Sequence, residues 1–263
     1  MFTSSTFSFS EPSSSFVSKQ FDYEFQAWIA RQCSRLYNKE TLDTTPLKPM
    51  AKKASYHHGD LRQALLEAAL VILKTQDIQS LSLRGVARQA GVSHTAPYRH
   101  FADKAALLAA VAEEGFIEFG QYLKAAVTEA KAEPIAALQG TGEAYVRYAL
   151  EHPTHFRLMF SHFPDTPMPD SSLPSTAKGT FQILVDIIAS GQATGAFKAG
   201  DPEELALGRW ALVHGLAMLI LDGMITYPKP TATVTGDCPP IPKTLIQGII
   251  ANSLGGLMTE SAP

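Results

Sequence analysis

The sequence predicts an all-α protein, with a small N-terminal headpiece of three helices followed by a larger helical bundle. Apolar residues recur at i, i+3, i+4 and i+7, the period of a helix that buries one face. Pro134, Pro153 and Pro202 stand near expected helix starts, where a missing N–H costs nothing. Convincing strand patterns are absent.

Bulk properties bound the reading. The chain has 263 residues, 45% of them hydrophobic and 18% charged, which suits a globular protein with a real core. Its net charge is −3, but the charge is unevenly spread. Residues 50–104 hold eight bases against four acids, whereas residues 105–263 hold nine bases against sixteen acids. A basic head on an acidic body suits a polyanionic partner. Cys33 and Cys238 match no metal spacing and read as free thiols of a reducing, cytoplasmic compartment. The most apolar stretch, Trp210 to Thr226, contains His214 and Asp222 and falls short of the ~20 residues of a membrane span. The N-terminus lacks the basic start and apolar core of a secretory signal.

Residues 1–49 read as an extension. They are rich in Ser, Thr and Phe at first, and Phe21, Phe25, Trp28, Ile29 and Leu36 fit one helical stripe. Met50-Ala51-Lys52-Lys53 reads as the natural start, because the basic run and the first clear helix follow at once. The domains expected are therefore the extension 1–49, a headpiece 50–104 and a body 105–263.

The first helix is predicted from Asp60, as N-cap, to about Thr75, burying Leu61, Leu65, Ala68 and Ile72. The second starts at the cap Ser82; Leu83, Val86, Ala87 and Ala90 face inward and Arg84 and Arg88 outward. Gly91 stands where a helix needs a left-handed residue to stop. Ser93 is expected to cap a third helix that buries Val92, Pro97 and Phe101 and exposes His94, Thr95, Tyr98 and Arg99. Two short helices about a glycine turn, with a polar outer face, make a helix-turn-helix, and its expected partner is duplex DNA. Base edges would be read from the first turn by His94 and Thr95, and Arg99 could grip guanine or phosphate. Tyr98, His100 and Lys104 offer donors to the backbone, and Ser82 and Arg84 open a helix whose free N–H groups suit phosphate.

Asp103 is expected to cap a long fourth helix reaching about Glu129. Further helices are predicted at about 134–150, 153–162, 173–192, 202–224 and 242–258, with a long loop from Tyr227 to Pro242.

The run from Leu81 to Leu108 resembles the DNA-binding domain of the tetracycline-repressor (TetR) family of bacterial regulators. The matching pieces are Leu-Ser-Leu-Arg-Gly-Val-Ala, Ala-Gly-Val-Ser, Tyr-Arg-His-Phe and Asp-Lys-Ala-Ala-Leu-Leu, in order and at family spacing over about 57–115. The resemblance implies Ser82 and Arg84 near phosphate or the groove edge. It implies His94, Thr95 and neighbouring Ala96 at bases and Tyr98, His100 and Lys104 on the backbone; Ser93 and Arg99 complete the candidate DNA-binding set. Pro97 departs from the pattern: the family usually has leucine there, and proline this far into a helix bears on its pitch. Trp210-Ala-Leu-Val-His214-Gly215 resembles the tryptophan–histidine–glycine (WHG) signature of one C-terminal subclass.

The resemblance further implies an effector and dimerisation domain. Its effector would be a small, mostly apolar molecule held between helices. Tyr122, Tyr145, Tyr148, Phe156, Met159, Phe160, Phe181, Trp210 and His214 are candidates to line that site, and each also has an ordinary core reading. The last two long helices, with Leu245, Ile249, Ile250 and the small Gly215, Ala217, Gly248, Gly255 and Gly256, would form the homodimer contact. His152 and His155 are three apart, with His162 and Asp165 near, but Pro153 makes His152 a cap and no acid-rich shell accompanies them. No metal and no cofactor is assigned. The expected function is a ligand-responsive repressor that binds a palindromic operator as a dimer. Two alternatives remain open: a helical interaction module that has lost DNA binding, and an α-helical enzyme, for which no nucleophile–base constellation is visible.

Overall fold

A computed structural model describes residues 60–161, 171–225 and 242–258. The chain divides into two compact units, one of Ala54–Met159 with Pro167–Pro263 and the other of Met1–Lys53 with Phe160–Thr166. All described residues except Phe160 and Ser161 belong to the first. The extension 1–49, the start at Met50, both cysteines, His162, Asp165 and the loop 227–241 lie outside the described residues.

Among the described residues eight α-helices follow in order: α1 Asp60–Leu73, α2 Leu83–Gln89, α3 Lys104–Glu129, α4 Pro134–Glu151, α5 Pro153–Met159, α6 Leu173–Ala193, α7 Pro202–Leu221 and α8 Lys243–Ser253. Short 3-10 turns occur at Ile78–Ser80, Pro97–Arg99 and Leu254–Gly256. Among the described residues there is no strand, only a bridge between Phe197 and Met258.

Local chemistry sets the boundaries. The Ser82 side chain accepts the Gly85 N–H at 3.1 Å and opens α2. That helix closes as the Gly91 prediction requires. Gly91 has φ +70°, its N–H reaches the Arg88 carbonyl, and the Val92 N–H reaches back to Ala87. These two bonds are a Schellman closure. Asp103 accepts the Ala106 N–H at 2.8 Å and starts α3, and Asp201 accepts the Glu203 N–H at 2.8 Å and starts α7.

The expected third helix of the headpiece is corrected. Residues 93–96 form no α-helix, and Pro97–Arg99 make a single 3-10 turn. The N–H groups of Ala96, Arg99 and His100 each reach back three residues, to Ser93, Ala96 and Pro97. Proline is the physical reason: residue 97 has no N–H for the Ser93 carbonyl, and its ring crowds the position an α-helix would give that carbonyl. Ser93 is consequently not a helix cap; its hydroxyl lies 3.2 Å from that of Thr95. Elsewhere the corrections are small. Asp60 is the first residue of α1, α5 stops at Met159, α7 stops at Leu221, closed by Gly223 at φ +67°, and α8 stops at Ser253, where a 3-10 turn replaces the expected last turn.

Leu65, Leu66, Leu81, Leu83, Val86, Ala87 and Phe101 are buried in the headpiece. Arg62 of α1 lies over the Phe101 ring and 4.0 Å from Glu114 of α3, so the first half of α3 is tied to the head. The same helix packs on α4, α5 and α6 in the body. A core around Leu138, Val185, Ile188, Phe197 and Leu257 closes the bundle's far end. There, a side chain at Gly191 would stand 1.9 Å from the Phe197 ring, so the site accepts no Cβ.

Candidate nucleic-acid interface

The turn after α2 carries the predicted recognition residues on one outer edge. Ser93, His94, Thr95, Tyr98, Arg99 and His100 are exposed, Ala96 is half-buried, and Pro97 and Phe101 are buried beneath them. Ser82 and Arg84 are exposed at the start of α2. The inward set is thus as expected, apart from Val92, which is half-buried. Several of these side chains are partly engaged within the chain, Ser82 as the cap of α2 among them. Thr95 is near Ser93, and Lys104 donates from Nζ to the Gln79 carbonyl at 2.9 Å. An ammonium has three protons, so Lys104 keeps two for a phosphate.

In the body, most of the aromatic residues singled out form one contiguous set. The Tyr145 hydroxyl accepts the Trp210 indole N–H at 3.0 Å and lies 2.8 Å from His214 Nδ1. Phe156 packs edge-on to Tyr145, and Phe181 edge-on to Trp210. Burial lowers the His214 pKa to about 4, so its imidazole is neutral at physiological pH, and burial raises that of Tyr145 well above its ordinary value. A second group holds Tyr122, Tyr148 and His152, with Tyr148 donating to the Gly115 carbonyl at 3.0 Å. Phe119 joins the two groups, touching Tyr145 and Tyr148 at ring distances of 5.0 and 5.3 Å. Met159 lies over Gly115, where a Cβ would meet its sulfur at 2.7 Å. Phe160 is buried and belongs to the other compact unit.

Sequence reading missed two members of this region. Phe119 was visible as an apolar residue of α3 but not as the hinge between two aromatic groups. Glu118 lies 3.7 Å from His152 and, with His155, makes a three-residue cluster. No spacing along the chain signals it, because the acid and the histidines are on different helices.

Among the described residues one helix, Pro202–Leu221, is long and apolar enough to cross a membrane by length and composition, more than was expected of this stretch. It packs on α4 and α6.

Comparison with known proteins fits this architecture. The family model described as bacterial regulatory proteins, tetR family, matches residues 65–111, and that described as tetracyclin repressor-like, C-terminal domain, matches 138–235. A solved structure of a protein of unknown function from Rhodococcus sp. RHA1 is 34% identical, with a TM-score of 0.64, over 79% of this chain and 100% of its own. A bacterial regulatory protein in the tetR family from Rhodococcus RHA1 is 18% identical (TM-score 0.56, 76% of this chain, 98% of its own). The fatty acid degradation regulator of Bacillus halodurans is 16% identical (TM-score 0.56, 76% and 98%). No curated protein sequence matches the chain. The fold and the head define a helix-turn-helix transcription regulator. The chain belongs to the tetR family of bacterial regulatory proteins; it is a DNA-binding regulator and not an enzyme.

Proposed function

We propose that the protein is a ligand-responsive repressor, cytoplasmic and DNA-bound, that grips a palindromic operator as a homodimer. In this reading a small, mostly apolar effector bound in the body releases it. The observation that carries the proposal is the exposed edge of His94, Thr95, Tyr98, Arg99 and His100, held over buried Pro97 and Phe101. Such an edge supplies both base-edge readers and phosphate donors. The homodimer rests on α7, which is apolar along its length while only 28% of its most apolar stretch is buried within the chain. The half-buried Leu245 and Ile249 of α8 continue this surface. Added Cβ atoms at Gly215, Gly248, Gly255 and Gly256 would meet nothing within 4 Å, so these positions have room for a second copy. The effector reading is supported by the aromatic set around Tyr145, Trp210 and His214, which offers apolar walls and a few polar atoms.

Selection of binding sites from random duplex tests the proposal. The expected result is a two-fold symmetric sequence with half-sites one or more helical turns apart. Arg99→Ala and Tyr98→Ala should weaken binding, the arginine by roughly 5- to 150-fold if it reads a base. Affinity should fall with added salt. Unchanged affinity in both variants would remove these residues from the interface. A specific observation favours the interaction-module alternative: the recognition element is a 3-10 turn and not a helix. Absence of any duplex binding at low salt would decide for that reading.

A further inference from the structure

We infer that Glu118, His152 and His155 form a binding site for a first-row divalent transition-metal cation of the zinc class, joining α3 to the corner between α4 and α5. The ligand atoms of the three residues all lie within 4.8 Å of one another, with Glu118 Oε1 3.7 Å from His152 Nε2. A tetrahedral zinc ion has bonds of about 2.0–2.2 Å, which sets its ligand atoms roughly 3.3 Å apart. Closing the triad on an ion therefore takes small side-chain rotations and no movement of helices. Two imidazoles and a carboxylate select a borderline cation; magnesium and calcium prefer all-oxygen shells.

Local structure already arranges the set. His152 ends α4, and its carbonyl accepts the Phe156 N–H, so it also opens α5. Pro153 fixes the first position of α5, and His155 follows two residues on, which puts both imidazoles on one side of the corner. The His152 ring is stacked on Tyr148 at 4.7 Å and 24°. Tyr148 Oη is 3.5 Å from the second carboxylate oxygen of Glu118. Such outer contacts orient metal ligands in built sites. Tyr122 Oη is 3.2 Å from His152 Nε2 and 2.8 Å from Glu151. A metal on His152 would therefore displace one contact of Tyr122 and leave it the other.

A purely hydrogen-bonded reading accounts for Glu118 and His152 but not for His155. Its Nε2 is enclosed and has no hydrogen-bond partner among the described residues. An unpaired buried nitrogen is unfavourable, and native structures avoid it. Either ring nitrogen of His155 can serve as the ligand atom, and a cation bound at Nε2 would satisfy it. Burial also lowers the pKa of His155, favouring the neutral form that a metal requires. Three protein ligands leave a fourth position for water. This site uses none of the DNA-contact residues; Tyr122 and Tyr148, candidates for the effector wall, border it without being ligands.

The test uses the full chain, stripped with a chelator and titrated with zinc against a chromophoric competitor, then with cobalt as a spectroscopic probe. One equivalent of zinc should bind, and the cobalt complex should show the visible bands of a four-coordinate nitrogen–oxygen site. Glu118→Gln and His155→Ala should each weaken zinc by at least about tenfold and remove the cobalt bands. A Cys33→Ser/Cys238→Ser variant should bind as the parent does. If His155→Ala fails to fold by circular dichroism, Glu118→Gln, which keeps the side chain's shape, carries the decision. Absence of zinc binding overturns the assignment and leaves His155 to a buried water. Zinc binding of equal strength in the parent and in both ligand variants also overturns it, by placing the ion elsewhere.

Discussion

His214 is neutral in the fold because it is buried, and the consequence is a pH-dependent stability. Its pKa falls from 6.5 in an open chain to about 4 in the folded protein. Between those values the unfolded chain binds the extra proton. The stabilisation is therefore complete above about pH 6.5 and is lost as the pH falls toward 4. The shift corresponds to roughly 3 kcal/mol. A His214→Phe variant should show a shallower loss of stability over this window in urea melts at several pH values; an identical slope would contradict the burial argument. Asp103 offers a second test at this scale. Its carboxylate accepts the Ala106 N–H, so Asp103→Ala should cost about 1 kcal/mol by thermal melting. The cap was readable from sequence because capping acts within three residues. The Tyr145–His214 bond was not, because its partners are 69 positions apart and no local period links them.

At the level of elements, most helices were legible to within three residues. The signals that start and stop them are local: Pro134, Pro153 and Pro202 at first turns, Asp103 as a cap, Gly91 at a left-handed closure. The recognition element was the main exception, and α8 stops at Ser253, short of the expected 258. Apolar periodicity through Val92, Pro97 and Phe101 predicted a helix, and the missing N–H of Pro97 overrode it. Pro97→Ala restores that donor. Carbon chemical shifts of residues 94–100 should then move toward helical values, and the preferred DNA site should change with them. Another element is held by the absence of a side chain. Gly191 lets α6 lie against the Phe197 ring, and the pairing is invisible in sequence because glycine carries no apolar signal. Gly191→Ala should destabilise the protein by about 1–3 kcal/mol through overpacking. Adding Phe197→Leu should restore part of that loss, since contacting residues couple.

For the whole molecule, the all-α architecture was legible from composition and period alone. The way the body closes on itself was not. Helix α7 is apolar around its circumference, and such a helix is expected to be buried on every side. Among the described residues it packs chiefly on α4 and α6, and Leu219 remains 47% exposed. Leu219→Lys should therefore yield a monomer by sedimentation. Its affinity for a two-half-site duplex should drop to that for a single half-site. A dimer that persists in this variant would move the contact to another face.

The uninterrupted run of α3 has a mechanical consequence. Its 26 residues make a rod of roughly 39 Å, clasped by α1 near one end and by the body's helices along the other. A rigid rod converts a small angular change into a large displacement at its tip. A tilt of about 5° imposed from the body would carry the head roughly 3 Å, close to one base-pair step along the duplex. Two such rods, set by one dimer, would make half-site spacing a gauge of helix angle.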